Sequence, residues 1–224
     1  MERSLFLELI KRYMRSHPIV AILGPRQCGK TTLANMYKKS LGSFPEENYF
    51  DLENPADWQR LKQPKLVLES LEGLIIIDEV QRLPELFPLL RYLVDQKKNN
   101  QKFLLLGSAS RDLVMNSSET LAGRIAFIEL TPFSYYETKE AKKLWVRGGY
   151  PNSYLAKSAE DSFEWLEFFC ATFLERDIPN LGIKIPSTIL RRCWTMVDHY
   201  HGQLFNASEL ARAFGVSRVT ILRH

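Results

Sequence analysis

Apolar residues in this chain gather in short unbroken runs. Ile19-Val20-Ala21-Ile22-Leu23 is the first, and Leu74-Ile75-Ile76-Ile77 and Phe103-Leu104-Leu105-Leu106 repeat the pattern. Such runs, closed by glycine or charge, are the mark of strands buried on both faces. Asn48 to Leu52 and Ile125 to Leu130 read as two further strands. Helical patterns fill the intervals. Met1 to Ser16 is amphipathic, with Leu5, Leu9, Ile10 and Tyr13 on one face and Glu2, Arg3, Lys11 and Arg12 elsewhere. His17-Pro18 ends it. Thr31 to Lys39, Pro55 to Lys62, Pro64 to Leu71, Pro84 to Lys98 and Phe133 to Ala141 also read as helices. Pro55 suits a first helical turn. Leu86, Leu89, Leu90, Leu93 and Val94 give the fourth of these its apolar stripe. Strands alternating with helices predict an α/β fold: a parallel sheet of about five strands with helices on both faces.

The pattern changes in the last third. Asp161 to Leu174 carries Phe163, Trp165, Leu166, Phe168, Phe169 and Phe173, more apolar surface than one helix face requires. It reads as the core helix of a smaller helical region. Pro186 to Tyr200 is another helix. Asn206 to Thr220 reads as a helix, a turn at Gly215 and a second helix capped by Ser217, which is the helix-turn-helix pattern. Arg218, Thr220 and Arg223 are the side chains it would turn toward DNA; packing alone is the other reading. The chain stops at His224 with no wing following, so it reads as a fragment or a truncated product.

Candidate chemistry sits where the strands end. Gly24-Pro25-Arg26-Gln27-Cys28-Gly29-Lys30-Thr31-Thr32 fits G-x-x-x-x-G-K-[ST], the phosphate-binding P-loop, between a buried strand and a helix start. Its backbone N–H groups and the helix N-terminus suit phosphate oxygens. Lys30 is expected at the β- and γ-phosphates and Thr31 at Mg²⁺. About fifty residues on, Asp78-Glu79 closes the Leu74 strand. This is the pattern of a Walker B motif. Asp78 would hold Mg²⁺, and Glu79 would orient or deprotonate the attacking water. That pair favours hydrolysis over phosphoryl transfer to a small molecule. Ser108 and Ser110, after the Phe103 strand, either touch the γ-phosphate or cap a helix. Cys28 lies where the helix end and Lys30 would depress a thiol pKa, so alkylation is expected to block nucleotide binding, with ATP protecting. An inert loop filler is the alternative.

Composition adds bounds. The 224 residues carry a net charge of +4, which permits a nucleic-acid partner without arguing for one. Three cysteines without a C-x-x-C pair imply a reducing compartment and no zinc site. No apolar run spans a bilayer and no signal peptide is evident, so a cytoplasmic protein is expected.

Several motifs then occur in a fixed order: the P-loop, Asp51-Leu52-Glu53, Ile77-Asp78-Glu79-Val80-Gln81, Leu106-Gly107-Ser108, Leu121-Ala122-Gly123-Arg124, Leu130-Thr131-Pro132-Phe133-Ser134 and Gly148-Gly149-Tyr150-Pro151. Together they resemble the predicted prokaryotic AAA+ ATPases, in which a P-loop domain precedes a C-terminal domain of unknown function. Those proteins are related to archaeal and STAND-type ATPases. The resemblance implies a P-loop NTPase fold with the sensor strand between the Walker A and Walker B strands, and an ATPase using ATP and Mg²⁺. It implies a sensor role for Ser108 and an arginine finger at Arg124, for which a surface ion pair is the alternative. It likens Gly148 to Pro151 to a lid motif near the nucleotide. The expected domains are 1–143 (P-loop domain with its N-terminal helix), 144–202 (helical lid) and 203–224 (helix-turn-helix, the start of a truncated winged helix). ATP is the expected ligand. DNA, a protein partner or a second copy are the further partners the pattern allows. A nucleotide-gated DNA-binding switch with little turnover is the alternative function.

Overall fold

The computed structural model describes residues 1–96, 100–108, 121–180, 185–199, 202, 204, 206–215 and 217–219. Ser110, Thr220 and Arg223 lie outside the described residues. Two compact units divide the chain, Met1–Phe163 and Glu164–His224.

The first unit opens with α1 (Ser4–Ser16), β1 (Ile19–Leu23), α2 (Lys30–Ser40) and β2 (Tyr49–Asp51). It continues with α3 (Pro55–Arg60), α4 (Pro64–Glu69), β3 (Leu74–Asp78), α5 (Leu86–Val94), β4 (Lys102–Gly107) and β5 (Ile125–Glu129). Asn54 caps α3 by accepting from the Ala56 N–H at 3.0 Å, with Pro55 in the first turn. The five strands form one parallel sheet in the order β2-β3-β4-β1-β5. β4 therefore lies between β1 and β3, as the sequence resemblance implies.

The unbroken apolar runs explain this layering. Successive side chains on a strand face opposite ways, so each run supplies two cores. Ile19, Ala21, Leu23, Ile75, Ile77, Phe103 and Leu105 pack with Leu61, Leu68, Leu86, Phe87 and Leu90 on one side. Val20, Ile22, Ile76, Leu104 and Leu106 pack with Leu7, Ile10, Met14, Leu33, Ala34 and Tyr37 on the other. Each fully buried Leu, Ile or Phe contributes about 1.5–3 kcal/mol of transfer free energy. At the edge, β5 is mostly half-exposed, and Phe127 is 37% exposed.

α1 turns inward most of the face its pattern predicts: Ile10 is buried, and Leu9 and Tyr13 pack half-buried against the core. Leu7, Ile10 and Met14 are buried, whereas Leu5 is 59% exposed. Arg3, read as solvent-facing, is 3% exposed. Its guanidinium donates to both carboxylate oxygens of Glu137 at 2.7 and 3.1 Å, to the Cys28 carbonyl at 3.1 Å and to the Thr131 carbonyl at 2.8 Å. It also lies over the Phe6 and Phe133 rings.

The helix expected from Phe133 to Ala141 is two helices, α6 (Tyr135–Thr138) and α7 (Ala141–Arg147). A capping box of Ser134 and Glu137 starts the first, and Lys139 at φ 55° ends it. α8 (Pro151–Tyr154) and α9 (Ala159–Thr172) follow, and α9 runs on into a π-helical turn at Phe173–Asp177.

In the second unit, α10 (Ile178–Asn180), α11 (Ser187–His199) and α12 (Ala207–Phe214) complete the described elements. The aromatic helix is less buried than a core helix. Phe163 and Phe168 are each 66% exposed. Trp165, Phe169 and Phe173 instead stack at successive helical turns, 5.1 and 6.1 Å apart, and Phe173 meets Trp194 at 5.9 Å. Asn206 caps α12 and Gly215 ends it in the left-handed conformation.

Burial pushes the Glu137 carboxyl up, but the Arg3 hydrogen bonds and charge and the Ser134 N–H outweigh it and hold it below its usual range. A depressed carboxyl contributes stability above roughly pH 4.3 and loses it as pH falls through the folded value. Arg3→Leu is expected to cost about 3–5 kcal/mol at neutral pH by stranding a buried carboxylate. Urea unfolding from pH 7 downward checks this: the gap between wild type and Glu137→Gln should close as the solution becomes acidic.

Candidate nucleotide site

In a parallel sheet every strand's carboxyl end points the same way, and a ligand crevice lies outside those ends. β1 delivers the P-loop to that edge. Gly24 is required at its exit: a Cβ there would lie 2.2 Å from the Leu130 carbonyl oxygen and 3.0 Å from the Cys28 sulfur. The Leu130 N–H donates to the Leu23 carbonyl at 2.6 Å, which fixes this close approach. Gln27 and Gly29 then take left-handed backbone conformations, φ 61° and 96°, and α2 starts at Lys30. The loop ends on a helix N-terminus, which suits phosphate.

Lys30 is 6% exposed, and its ammonium donates to the Gly24 carbonyl at 3.0 Å and the Pro25 carbonyl at 2.9 Å. An ammonium has three donors, so it can hold the loop and still turn toward a phosphate. The Thr31 hydroxyl donates to Asp78 Oδ2 at 2.6 Å. The same oxygen accepts from the Tyr49 phenol at 3.2 Å, and Asp78 Oδ1 accepts from the Glu79 N–H at 2.9 Å. Burial pushes Asp78 upward, opposed by the hydrogen bonds from Thr31, Glu79 and Tyr49. Burial and the adjoining Asp78 carboxylate both push the Tyr49 phenol up, so it stays a donor. Tyr49 is a site residue that sequence reasoning missed. Its signal was weak, an aromatic on a short strand one place from the Walker B strand.

A hydroxyl and a carboxylate oxygen so close together are a donor pair suited to a hard divalent cation. Among the described residues no group of three or more His, Cys, Asp or Glu is gathered for a metal. Mg²⁺ sites in phosphate chemistry use one or two carboxylates and complete themselves with phosphate and water, so Thr31 and Asp78 fit that ion.

Glu79 has a left-handed backbone, φ 55° and ψ 42°, uncommon for a residue with a side chain. Its carboxylate accepts from the Gln81 amide nitrogen. Burial pushes its carboxyl up; Gln81 and the Lys30 charge pull it down, while Asp78 and Glu53 push it further up.

The remaining predicted residues divide. Pro25 and Gln27 are exposed on the loop, Arg26 lies 3.5 Å from Glu53, and Thr32 is exposed on α2. Ser108 follows Gly107, whose carbonyl meets the Gly24 N–H at 3.4 Å, so it stands at the same edge beside the loop. Pro151 packs at the loop as well: its Cγ is 3.8 Å from where a Cβ on Gly29 would sit. Gly149 allows this, since its carbonyl accepts from the Phe133 N–H at 2.7 Å and a Cβ on it would meet the Phe133 oxygen at 2.3 Å.

Arg124 is not brought to the site of its own chain. Its carbonyl accepts from the Ile19 N–H, at the start of β1, and the length of that strand, about 16 Å, separates it from the loop. Its guanidinium pairs with both carboxylate oxygens of Asp95 at 2.6 and 2.9 Å. Cys28 also departs from expectation. It is fully buried, and burial raises its thiol pKa despite Lys30 and Arg3 nearby.

The family profile described as "AAA domain" matches residues 16–139, more than half of the chain. The chain belongs to this AAA-domain family. Beyond its AAA domain, residues 138–224 match a profile described as "Domain of unknown function (DUF8612)". Uncharacterized protein Rv2008c of Mycobacterium tuberculosis and uncharacterized protein Mb2031c of Mycobacterium bovis are each 48% identical over 217 residues. That match covers 96% of this chain and 48% of theirs, so the chain spans about half the length of these curated relatives. Among solved structures, the Walker-type ATPase PABY2304 of Pyrococcus abyssi aligns with a TM-score of 0.55 at 15% identity, over 81% of this chain and 75% of that one. The likeness shows a shared fold, the α/β fold of P-loop NTPases. No helix among the described residues is long and apolar enough to cross a membrane.

Two outcomes follow from the AAA-domain site. Gly24→Ala should abolish nucleotide binding, because its methyl would strike the Leu130 backbone; fluorescent-nucleotide titration reads this. Cys28 should resist iodoacetamide in the folded chain and react after denaturation, while the less buried Cys170 and Cys193 react first. Peptide mass spectrometry distinguishes them.

Proposed function

We propose that the chain is a Mg²⁺-dependent AAA+-type ATPase that couples ATP binding and hydrolysis to conformational change. The observation that carries this reading is the 2.6 Å hydrogen bond from Thr31 to Asp78, with Glu79 next in sequence. It joins the P-loop helix to the Walker B strand at one point, where phosphate, metal and water chemistry have to meet. A bound Mg²⁺ supplies charge neutralisation at the β- and γ-phosphate oxygens. The chain's own groups supply the rest. Loop N–H groups and Lys30 bind and orient the phosphates. Glu79 orients the attacking water and takes its proton. Ser108 is assigned to the γ-phosphate, which its place directly after Gly107, bonded to the loop through Gly24, supports. Arg124 serves only from a neighbouring copy, since its own loop is a strand's length away. The packing of Pro151 against Gly29 supports a loop-sensing role for the part of the expected lid, residues 144–163, that lies in the first unit.

A second reading has its own support. The Asn206 cap, α12, the left-handed Gly215 and the helical backbone at Arg218 and Val219 favour a helix-turn-helix at residues 203–224. In this reading nucleotide gates DNA contact and turnover is slight.

Phosphate release from Mg²⁺-ATP is the test. Glu79→Gln should lower kcat by about 10²–10⁴-fold and leave ATP affinity intact, while Lys30→Ala should lose the affinity. Stimulation by duplex DNA would add the DNA-contacting role. An inactive wild type that still binds ATP would overturn the ATPase reading in favour of the switch.

A further inference from the structure

Gln81 belongs to a short 3₁₀ turn, Val80–Arg82, that follows directly from Glu79. Its amide nitrogen donates to Glu79 Oε2. Its amide oxygen is buried and has no hydrogen-bond partner among the described residues. A buried acceptor without a partner is unfavourable, so something must hold the amide in that orientation. Turning it over would set its oxygen against the Glu79 carboxylate, which is worse. The amide is therefore oriented by Glu79, and Glu79 by the amide.

The surroundings leave this task to Gln81. Glu79 itself has a left-handed backbone at the end of its strand, φ 55°. The neighbouring charges act differently: Asp78 is occupied with Thr31 and Tyr49, Lys30 with the loop carbonyls, and Glu53 with Arg26 and Arg82. The Gln81 nitrogen is the donor found on the Glu79 side chain among the described residues. The Arg82 N–H also donates to the Glu79 carbonyl at 3.0 Å, which stiffens the turn carrying both residues.

We infer that Gln81 is the positioning residue for Glu79, holding its carboxylate in the one orientation from which it can engage the attacking water. This rests on the ATPase reading. Gln81 touches neither phosphate nor metal in this account, so its effect falls on the chemical step and not on nucleotide affinity.

The test uses two variants of different character, measured beside wild type and Glu79→Gln. Gln81→Leu removes both polar atoms and shortens the side chain, and Gln81→Met keeps the length while removing the donor. Both should lower kcat about 10–100-fold, with KM, ATP-analogue affinity and melting temperature unchanged. A kcat that stays at the wild-type value in both variants overturns the inference. Affinity and melting temperature falling together in both would make Gln81 structural, which also overturns it. A wild type without turnover, or Glu79→Gln as active as wild type, fails a different claim, the ATPase reading itself, and the inference goes with it.

Discussion

The constraint on which this molecule depends is the crowding at the exit of β1. That strand is hydrogen-bonded on both sides, to β4 and β5, and ends where the Leu130 N–H closes on the Leu23 carbonyl at 2.6 Å. Only a residue without a side chain continues from there. Gly24 passes through, the loop curls, and α2 returns over the sheet to bury Leu33, Ala34 and Tyr37. Thr31 then faces Asp78, two strands away in the sheet order, because β4 alone separates β1 from β3. The site is a consequence of strand order and one close backbone approach.

Arg3 braces this arrangement from behind. A buried guanidinium is costly unless its donors are matched. Here Glu137, Cys28 and Thr131 accept from it, and the Phe6 and Phe133 rings flank it. One side chain thereby ties α1, the P-loop backbone and the segment after β5 together. The Phe133 N–H bond to Gly149 carries the connection on to Pro151 beside Gly29. The loop is thus held by contacts from both ends of its unit.

Much of this was legible in the residues. Short unbroken apolar runs closed by glycine or charge suit interior parallel strands, and the P-loop and Asp78-Glu79 patterns each need a strand end, so fold and phosphate site follow together. What was not legible depended on partners distant in sequence. Arg3 looks like a surface residue of an amphipathic helix until Glu137 and the loop carbonyls surround it. Tyr49 acquires its role only from strand order. Cys28 has the neighbours that lower a thiol pKa, but burial reverses the sign. Arg124 precedes the last strand as an arginine finger would, yet parallel pairing sets it at the start of β1. The aromatic helix misled because Trp165, Phe169 and Phe173 cover one another along the helix while Phe163 and Phe168 stay exposed.

The most direct measurement is a crystal structure of the chain with Mg²⁺ and a non-hydrolysable ATP analogue. The triphosphate should lie within the loop from Gly24 to Thr31. Lys30 should have moved from the Gly24 and Pro25 carbonyls to phosphate oxygens, and the metal should lie at the Thr31 hydroxyl beside Asp78. A nucleotide bound elsewhere, or Lys30 still on those carbonyls with the loop holding no phosphate, would contradict this arrangement.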